Sequence, residues 1–301
     1  MDAAVSPASA VGAIVVTYHP GPAVLANLAA LRSQVGHVFV IENTADASSG
    51  QLLSTLSGDP GIEVVFNPAN FGLAAALNQG LKRALACGCE WIATFDQDST
   101  VPAGYVDRLL AARAARPATE RIAVLAPLYR DKNLGFLFSP AGPLVPGDES
   151  SVSVSVTATS GNLVSAAALA EVGGWRSDYF IDCVDFEFCL RCRRAGWTVL
   201  EVRSVVLDHE PGRWQQREWF GKARRFNDYS AERRYYQARN RVPLYARYAG
   251  FDPRWVTRDA WGYACDLVKL LLFCTDRPSK IGAAWQGFWH GLAGRLGPRW
   301  R

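Results

Sequence analysis

Histidine is scarce in this chain. There are four in 301 residues, and none stands beside a cysteine pair at the spacing zinc requires. The cysteines number seven, which is odd. Cys87-Gly88-Cys89 and Cys189-Leu190-Arg191-Cys192 therefore read as free thiols of a reducing cytoplasm, not as a zinc or disulfide framework. No Lys or Arg precedes Arg32, so the apolar stretch Val11 to Val16 does not read as a secretory leader. No apolar run reaches the roughly 18–20 residues of a membrane span. The longest late one, Leu267 to Phe273, is interrupted by Lys269. Internal repeats and long low-complexity segments are also missing. What remains is a cytoplasmic protein, free in solution or resting on the inner face of the membrane.

A sizeable core is within reach, because 49% of residues are apolar. The net charge of +4 is unevenly placed. From Pro211 to Arg301 there are 18 Lys/Arg against 7 Asp/Glu, a net of +11; the rest carries 14 against 21, a net of −7. An acidic body suits a cation site, and a basic tail suits phosphates or anionic lipid.

Short apolar runs alternate with helical periodicity. Strands are expected at 12–18, 37–41, 62–66 and 91–95, with helices at 23–34, 49–56 and 74–86 between them. Continuous apolar strands in this order predict a parallel sheet covered on both faces. Further on, a helix is expected at 105–115, strands at 122–128, 152–159 and 198–206, and helices at 166–172 and 182–195. From Trp214 the chain is basic, aromatic and expected to be mostly helical. The first four strands all end in polar residues: Thr17 and Tyr18, Asn43 and Thr44, Asn67 and Asn70, Asp96 and Asp98. Parallel strands end at one edge, where ligands of open α/β sheets bind.

Three acidic or imidazole features stand out. Asp96-Gln97-Asp98 closes the fourth strand, and two carboxylates so close call for a cation between them. Read alone, the pair fits a turn cap and a helix start at least as well. The second feature is Phe180 to Arg191, where Asp182, Asp185 and Glu187 sit among Ile181, Val184, Phe188 and Leu190. A carboxylate held beside apolar side chains is a candidate general base, and one at a helix start also suits the macrodipole. The third is His209, at a strand end before Pro211-Gly212, where it is a metal ligand or an ordinary loop histidine.

Taken together these segments resemble the inverting family 2 glycosyltransferases of GT-A type, in particular bacterial rhamnosyltransferases. The resemblance is carried in order by Ala13 to Pro20, Val40-Ile41-Glu42-Asn43-Thr44, Asn67 to Gly80, Phe95-Asp96-Gln97-Asp98-Ser99, Thr159-Ser160-Gly161, Phe180 to Arg191, and His209 with Gly212. It implies a Rossmann-like, mostly parallel sheet flanked by helices over residues 1–212, and a helical extension over 213–301. It also implies a nucleotide-sugar donor, most simply dTDP-L-rhamnose, met by Thr17, Tyr18, Asn43, Asn67, Asn70, Gly72, Asn78, Asp96 and Gln97. Mg2+ or Mn2+ would be held by Asp96, Asp98 and His209. Asp185 would be the base, with Thr159, Ser160, Gly161, Asp182 and Glu187 on the acceptor side. The acceptor implied is a saccharide or a polyprenyl-diphosphate-linked glycan of bacterial surface polysaccharide.

Two positions depart from the family pattern. Glu42 replaces a usual Asp, which leaves its ribose or base contact open. Cys183 stands where Trp is common, which leaves acceptor contacts open. In the tail, Tyr235 to Arg241 resembles the branch's Tyr-x-x-Arg-Asn element. Its arginines, with Arg224, Arg225, Arg233 and Arg234, are expected to meet phosphate. Trp285, Phe288, Trp289, Leu292 and Leu296 recur at helical spacing, fitting an anionic membrane surface, the body of the protein or a second copy. The rivals are another donor (UDP-galactofuranose, a UDP- or GDP-hexose), a non-catalytic nucleotide-sugar-binding module, and a nucleic-acid binder. The last is disfavoured by the acidic body and by the lack of a nucleic-acid motif.

Overall fold

A computed structural model describes residues 7–44, 46–56, 58–132, 135–142, 144, 147–209, 214–219 and 222–299. The chain divides into two compact units, Met1–Ser177 with Asp185–His209, and Asp178–Val184 with Glu210–Arg301.

The first unit begins with β1 (Val11–Thr17), α1 (Ala23–Arg32), β2 (His37–Glu42), α2 (Ala47–Ser54), β3 (Ile62–Phe66), α3 (Leu73–Ala86) and β4 (Trp91–Asp96). It continues with α4 (Tyr105–Ala114), β5 (Ile122–Asp131), β6 (Leu137–Phe138), β7 (Ser151–Ser153), β8 (Asn162–Ser165), α5 (Ala166–Val172), α6 (Val184–Arg194) and β9 (Thr198–His209). The sheet order is β3-β2-β1-β4-β8-β5-β9-β7, with β6 on β5. The β3-β2-β1-β4 and β5-β9 pairs are parallel, while β8 runs against both β4 and β5. The tips of β1 to β5 and of β9 therefore share one edge.

The apolar runs explain this arrangement. Val11, Ala13, Ile14 and Val15 of β1, and Val38, Val40 and Ile41 of β2, are buried. Each such Val or Ile contributes about 1.5–3 kcal/mol on burial. Helix α3 turns Ala74, Leu77, Leu81 and Ala84 inward. Gly80 is required there, since a Cβ would meet Ile14 Cγ2 at 2.5 Å. Its lack of a side chain lets α3 lie directly on β1.

The second unit opens with an antiparallel hairpin, β10 (Trp214–Trp219) and β11 (Lys222–Asn227), and then forms α7 (Ala231–Tyr248), α8 (Pro253–Phe273) and α9 (Arg277–Leu292). Ser230 caps α7 by accepting from Arg233 N, and Asp252 caps α8 by accepting from Trp255 N. One buried cluster joins Phe180, Tyr235, Tyr236 and Ala283; another joins Phe226, Leu270, Phe273 and Cys274. A Cβ at Gly287 would lie 2.2 Å from Tyr235 O, and one at Gly291 would lie 2.5 Å from Arg239 O. Helices α7 and α9 thus meet backbone to backbone.

The chain after Trp214 is mostly helical, as expected, but it opens with a hairpin, and residues 178–184 group with it. Trp214, Trp219, Ala223 and Phe226 are not spaced every second residue in its sequence, so period-two apolar alternation is missing. The strand expected over 152–159 ends at Ser153. Val154 still donates to Val199 O (2.9 Å), after which the chain leaves the sheet. The helix expected over 182–195 begins at Val184, and Asp182 precedes it with φ +63.

Candidate active site

The tips of β1 and β2 are locked by a buried carboxylate. The Thr17 hydroxyl donates to Glu42 Oε2 (2.5 Å), and Thr44 N donates to Oε1 (2.6 Å). Glu42 is buried, so its two oxygens hold the edge together. Next to it, Gln97 works as a side-chain rung. Tyr18 N donates to Gln97 Oε1 (2.8 Å), and Gln97 Nε2 donates back to Tyr18 O (3.1 Å). This ties the β1 tip to the turn after β4 and leaves the Tyr18 ring half exposed at the edge.

The asparagines form a second lattice. Asn43 Nδ2 donates to Asn70 Oδ1 (2.9 Å) and Gly72 O (3.4 Å). Asn43 Oδ1 accepts from Asn67 Nδ2 and from Phe71 N, both at 3.1 Å. Asn43, Asn67, Asn70 and Gly72 are thus brought together as the wall of one loop. Asn78 is not among them. Its amide donates to Trp175 O (2.6 Å) and Ser177 Oγ (3.0 Å), and its oxygen accepts from Trp175 N (2.9 Å). Both ends of Asn78 are used in pinning the 174–177 turn.

The Asp96–Asp98 turn is held by the 159–161 loop. Asp96 N donates to Ser160 Oγ (3.0 Å), which also pairs with Ser99 Oγ (2.7 Å). Thr94 Oγ1 donates to Thr159 O (2.6 Å), and Gly161 N donates to Thr94 O (2.6 Å). Gly161 sits at φ +83, where a Cβ would strike Leu207 Cδ2 at 2.5 Å and Tyr105 Oη at 2.6 Å. The expected acceptor loop is therefore also the brace of the acidic turn. On the turn's other side Lys132 Nζ donates to Asp98 O and to Thr100 Oγ1 (2.9 Å). Thr100 N donates to Asp208 O (3.4 Å), so the backbone of β9 adjoins the same turn one residue before His209. An ion pair with Arg130 lowers the pKa of Asp208.

Asp185 opens α6, and its own carboxylate accepts from Phe186 N (2.9 Å). Buried Tyr129 lies within the electrostatic reach of Asp185 and Asp96, and its phenol is pushed upward first by burial and further by these charges. The Tyr129 hydroxyl donates to Ser160 O (2.9 Å) and contacts Asn162 Oδ1 (3.3 Å). Asp185 and Asp96 thus act on Tyr129 through their charge, and the 159–161 loop through a hydrogen bond. Glu187 does not join them. It is fully buried, and both its oxygens accept from Arg191, whose other nitrogens donate to the carbonyls of residues 172–174. It therefore braces the α5–α6 corner.

In the second unit, Asp182 accepts two bonds of 2.7 Å from Arg233. Phe180, Asp182 and Cys183 all have positive φ. Asn240 Nδ2 faces the carbonyls of Tyr179, Ile181 and Asp182 at 2.8–2.9 Å, and Arg239 donates to those of Asp178 and Tyr179. Arg234 pairs with Asp266 and Arg241 with Asp259. Four of the arginines expected to meet phosphate are thus used inside the unit. The side chains of Arg224 and Arg225 lie outside the described residues, as do that of His209 and residues Pro211 and Gly212.

Among the described residues, no group of three His, Cys, Asp or Glu side chains forms a ready cation cage. The donor types are still right for a hard divalent ion, with two carboxylates and an imidazole carried on neighbouring backbone at one edge. Lys132 and Ser99 were missed from the sequence. Lys132 directly follows the fifth strand, and the shared-edge rule extended to that strand points to it. A cavity of about 410 Å3 under α4, lined by Arg108, Arg116, Glu149, Ser151 and Ser204, contains none of these residues.

Residues 13–130 match the model of the family described as Glycosyl transferase family 2. Over 213 residues the chain is 28% identical to the dTDP-rhamnosyl transferase RfbF of Shigella flexneri, covering 66% of this chain and 69% of that protein. Two solved structures share the fold at a TM-score of 0.54. One is GalNAc-T7 with UDP, GalNAc and Mn2+, at 14% identity over 66% of this chain and 43% of that one. The other is the mannosyltransferase PcManGT from Pyrobaculum calidifontis in complex with GDP-Man and Mn2+, at 15% identity over 97% and 78%.

Proposed function

We propose, for a chain that is a family 2 glycosyltransferase of GT-A architecture, the transfer of L-rhamnose from dTDP-L-rhamnose to a saccharide hydroxyl with inversion at the anomeric carbon. One observation supports the chemistry: buried Tyr129 lies within the electrostatic reach of Asp185 and Asp96, and its hydroxyl donates to Ser160 O of the loop that braces the acidic turn. The dTDP-rhamnosyl relative supports the choice of sugar.

Thr17, Tyr18, Asn43, Asn67, Asn70, Gly72 and Gln97 would form the nucleoside wall, with the half-exposed Tyr18 ring, edge-on to His19, stacking on the base. Asp185 takes the proton of the acceptor hydroxyl as its oxygen bonds to the anomeric carbon. The bond from that carbon to the diphosphate breaks, and its electron pair leaves with dTDP. One displacement inverts the configuration, so a single base suffices, unlike the paired carboxylates of retaining hydrolases. Mg2+ or Mn2+, held by Asp98 and Asp96 with His209, would supply positive charge against the leaving diphosphate. Lys132 adds a fixed cation beside the same turn. Thr159, Ser160 and Gly161 would border the acceptor, a saccharide or polyprenyl-diphosphate-linked glycan, in the cytoplasm or at the inner membrane face.

Thermal shift with dTDP-rhamnose, UDP-sugars and GDP-sugars, each with and without Mn2+, tests this reading. Stabilisation by dTDP-rhamnose plus metal above all others is expected. The solved relatives hold UDP and GDP-Man, so preference for such a donor would keep the reaction and change the sugar.

A further inference from the structure

We propose that the outward faces of α8 and α9 form a docking surface for a bilayer carrying anionic headgroups. On α9, Ile281, Trp285, Phe288, Trp289 and Leu292 follow one helical stripe, and all are exposed, Trp285 by 62%. Trp285, Phe288 and Trp289 touch as a ring cluster, with centroids 5.5–6.2 Å apart. On α8, Trp261 (73% exposed), Val268, Leu271 and Leu272 form a second stripe.

The opposite faces are already engaged. Helix α9 buries Ala283, Ala284, Gly287 and Gly291, the two glycines against the α7 backbone. The central acids of α8, Asp259 and Asp266, pair with Arg241 and Arg234, whereas Arg254 and Arg258 of the same helix stay exposed. On and after α9, Arg277 and Arg295 are exposed, whereas Lys280 is buried against Asp228.

Tryptophan favours the level where headgroups meet acyl chains, and cationic flanks favour anionic lipid. Two copies meeting through this face would bring like charges together. Among the described residues no helix is long and apolar enough to cross a membrane, so the contact fitted by these stripes is with the surface. The inference deepens the acceptor reading above, since a polyprenyl-diphosphate-linked acceptor lies at such a surface. Its test uses neither donor nor acceptor, so failure of one reading leaves the other standing.

The full chain is sedimented with vesicles of phosphatidylcholine alone and of three parts phosphatidylcholine to one part phosphatidylglycerol, at low and high salt. A Trp285→Ser/Trp289→Ser variant, whose changes are at exposed positions, is run beside it, with circular dichroism to confirm its fold. Expected are binding to the anionic vesicles, weakening with salt, and a loss of about tenfold or more in the variant. Binding that the variant leaves unchanged, or no binding to either vesicle, overturns the proposal. So does a dimer in sedimentation velocity that the variant dissociates while vesicles bind nothing, which would assign the face to a second copy.

Discussion

At the scale of single residues, the proposed chemistry rests on Asp185 and on the brace around the acidic turn. Asp185→Asn keeps the shape of the carboxylate but cannot take a proton. It is expected to retain donor binding and lose transfer by about a hundredfold to ten-thousandfold; near-normal turnover removes Asp185 from the base role. Gly161→Ala forces a Cβ onto Leu207 and Tyr105 at a positive φ. A loss of about 2–4 kcal/mol is expected in denaturant unfolding, and an unchanged midpoint contradicts the packing described. The acids were legible because strand tips and a helix start are local signals. The asparagine roles were legible only in part. Asn43 and Asn78 have the same chemistry, but only the fold shows that Asn78 spends both its ends on a turn 97 residues away. Glu187 reads in the sequence as an acceptor-side acid, and only the fold shows that Arg191, one helical turn on, donates to both its oxygens.

At the scale of elements, the second unit depends on buried polar clamps. Asn240 is fully buried and faces three carbonyls of a segment in which Phe180, Asp182 and Cys183 all carry positive φ. Asn240→Ala leaves those carbonyls without their donor. The expected cost is about 3 kcal/mol, with faster proteolytic cleavage within residues 178–184; equal cleavage rates count against the clamp. Before α7, Asp228 accepts from Lys280 (2.5 Å) of α9 and from Thr275. Burial alone would raise its pKa, but these hydrogen bonds outweigh it and bring it to about 2 from 3.8. A depressed acid stabilises fully above the unfolded value and loses that contribution as pH falls through the folded one. Stability should therefore drop between about pH 4 and pH 2. Asp228→Asn should flatten that part of the profile, and an identical acid transition in wild type and variant refutes the assignment. Strands β1 to β4 and their helices were legible because apolar runs and helical periods are local. Strands β6 and β8 and the β10–β11 hairpin were not, since they are too short or lack period-two apolar alternation.

At the scale of the whole molecule, the charge split visible in the sequence takes on two meanings. The acidic turn, Asp185 and the β9 tip belong to the first unit, and the exposed cationic and aromatic stripes belong to the second. The grouping of residues 178–184 with the C-terminal unit was not legible, because the clamp that holds them comes from Arg233, Arg239 and Asn240, more than fifty positions on. The central claim is that the edge carrying Asp98 binds a nucleoside diphosphate through a divalent ion. The most direct measurement is calorimetric titration of dTDP into the full chain with Mn2+ and with chelator, repeated on Asp98→Ala. The account predicts metal-dependent binding in the wild type and its weakening by about tenfold or more in the variant. Equal affinity with and without Mn2+, unchanged by Asp98→Ala, would contradict it.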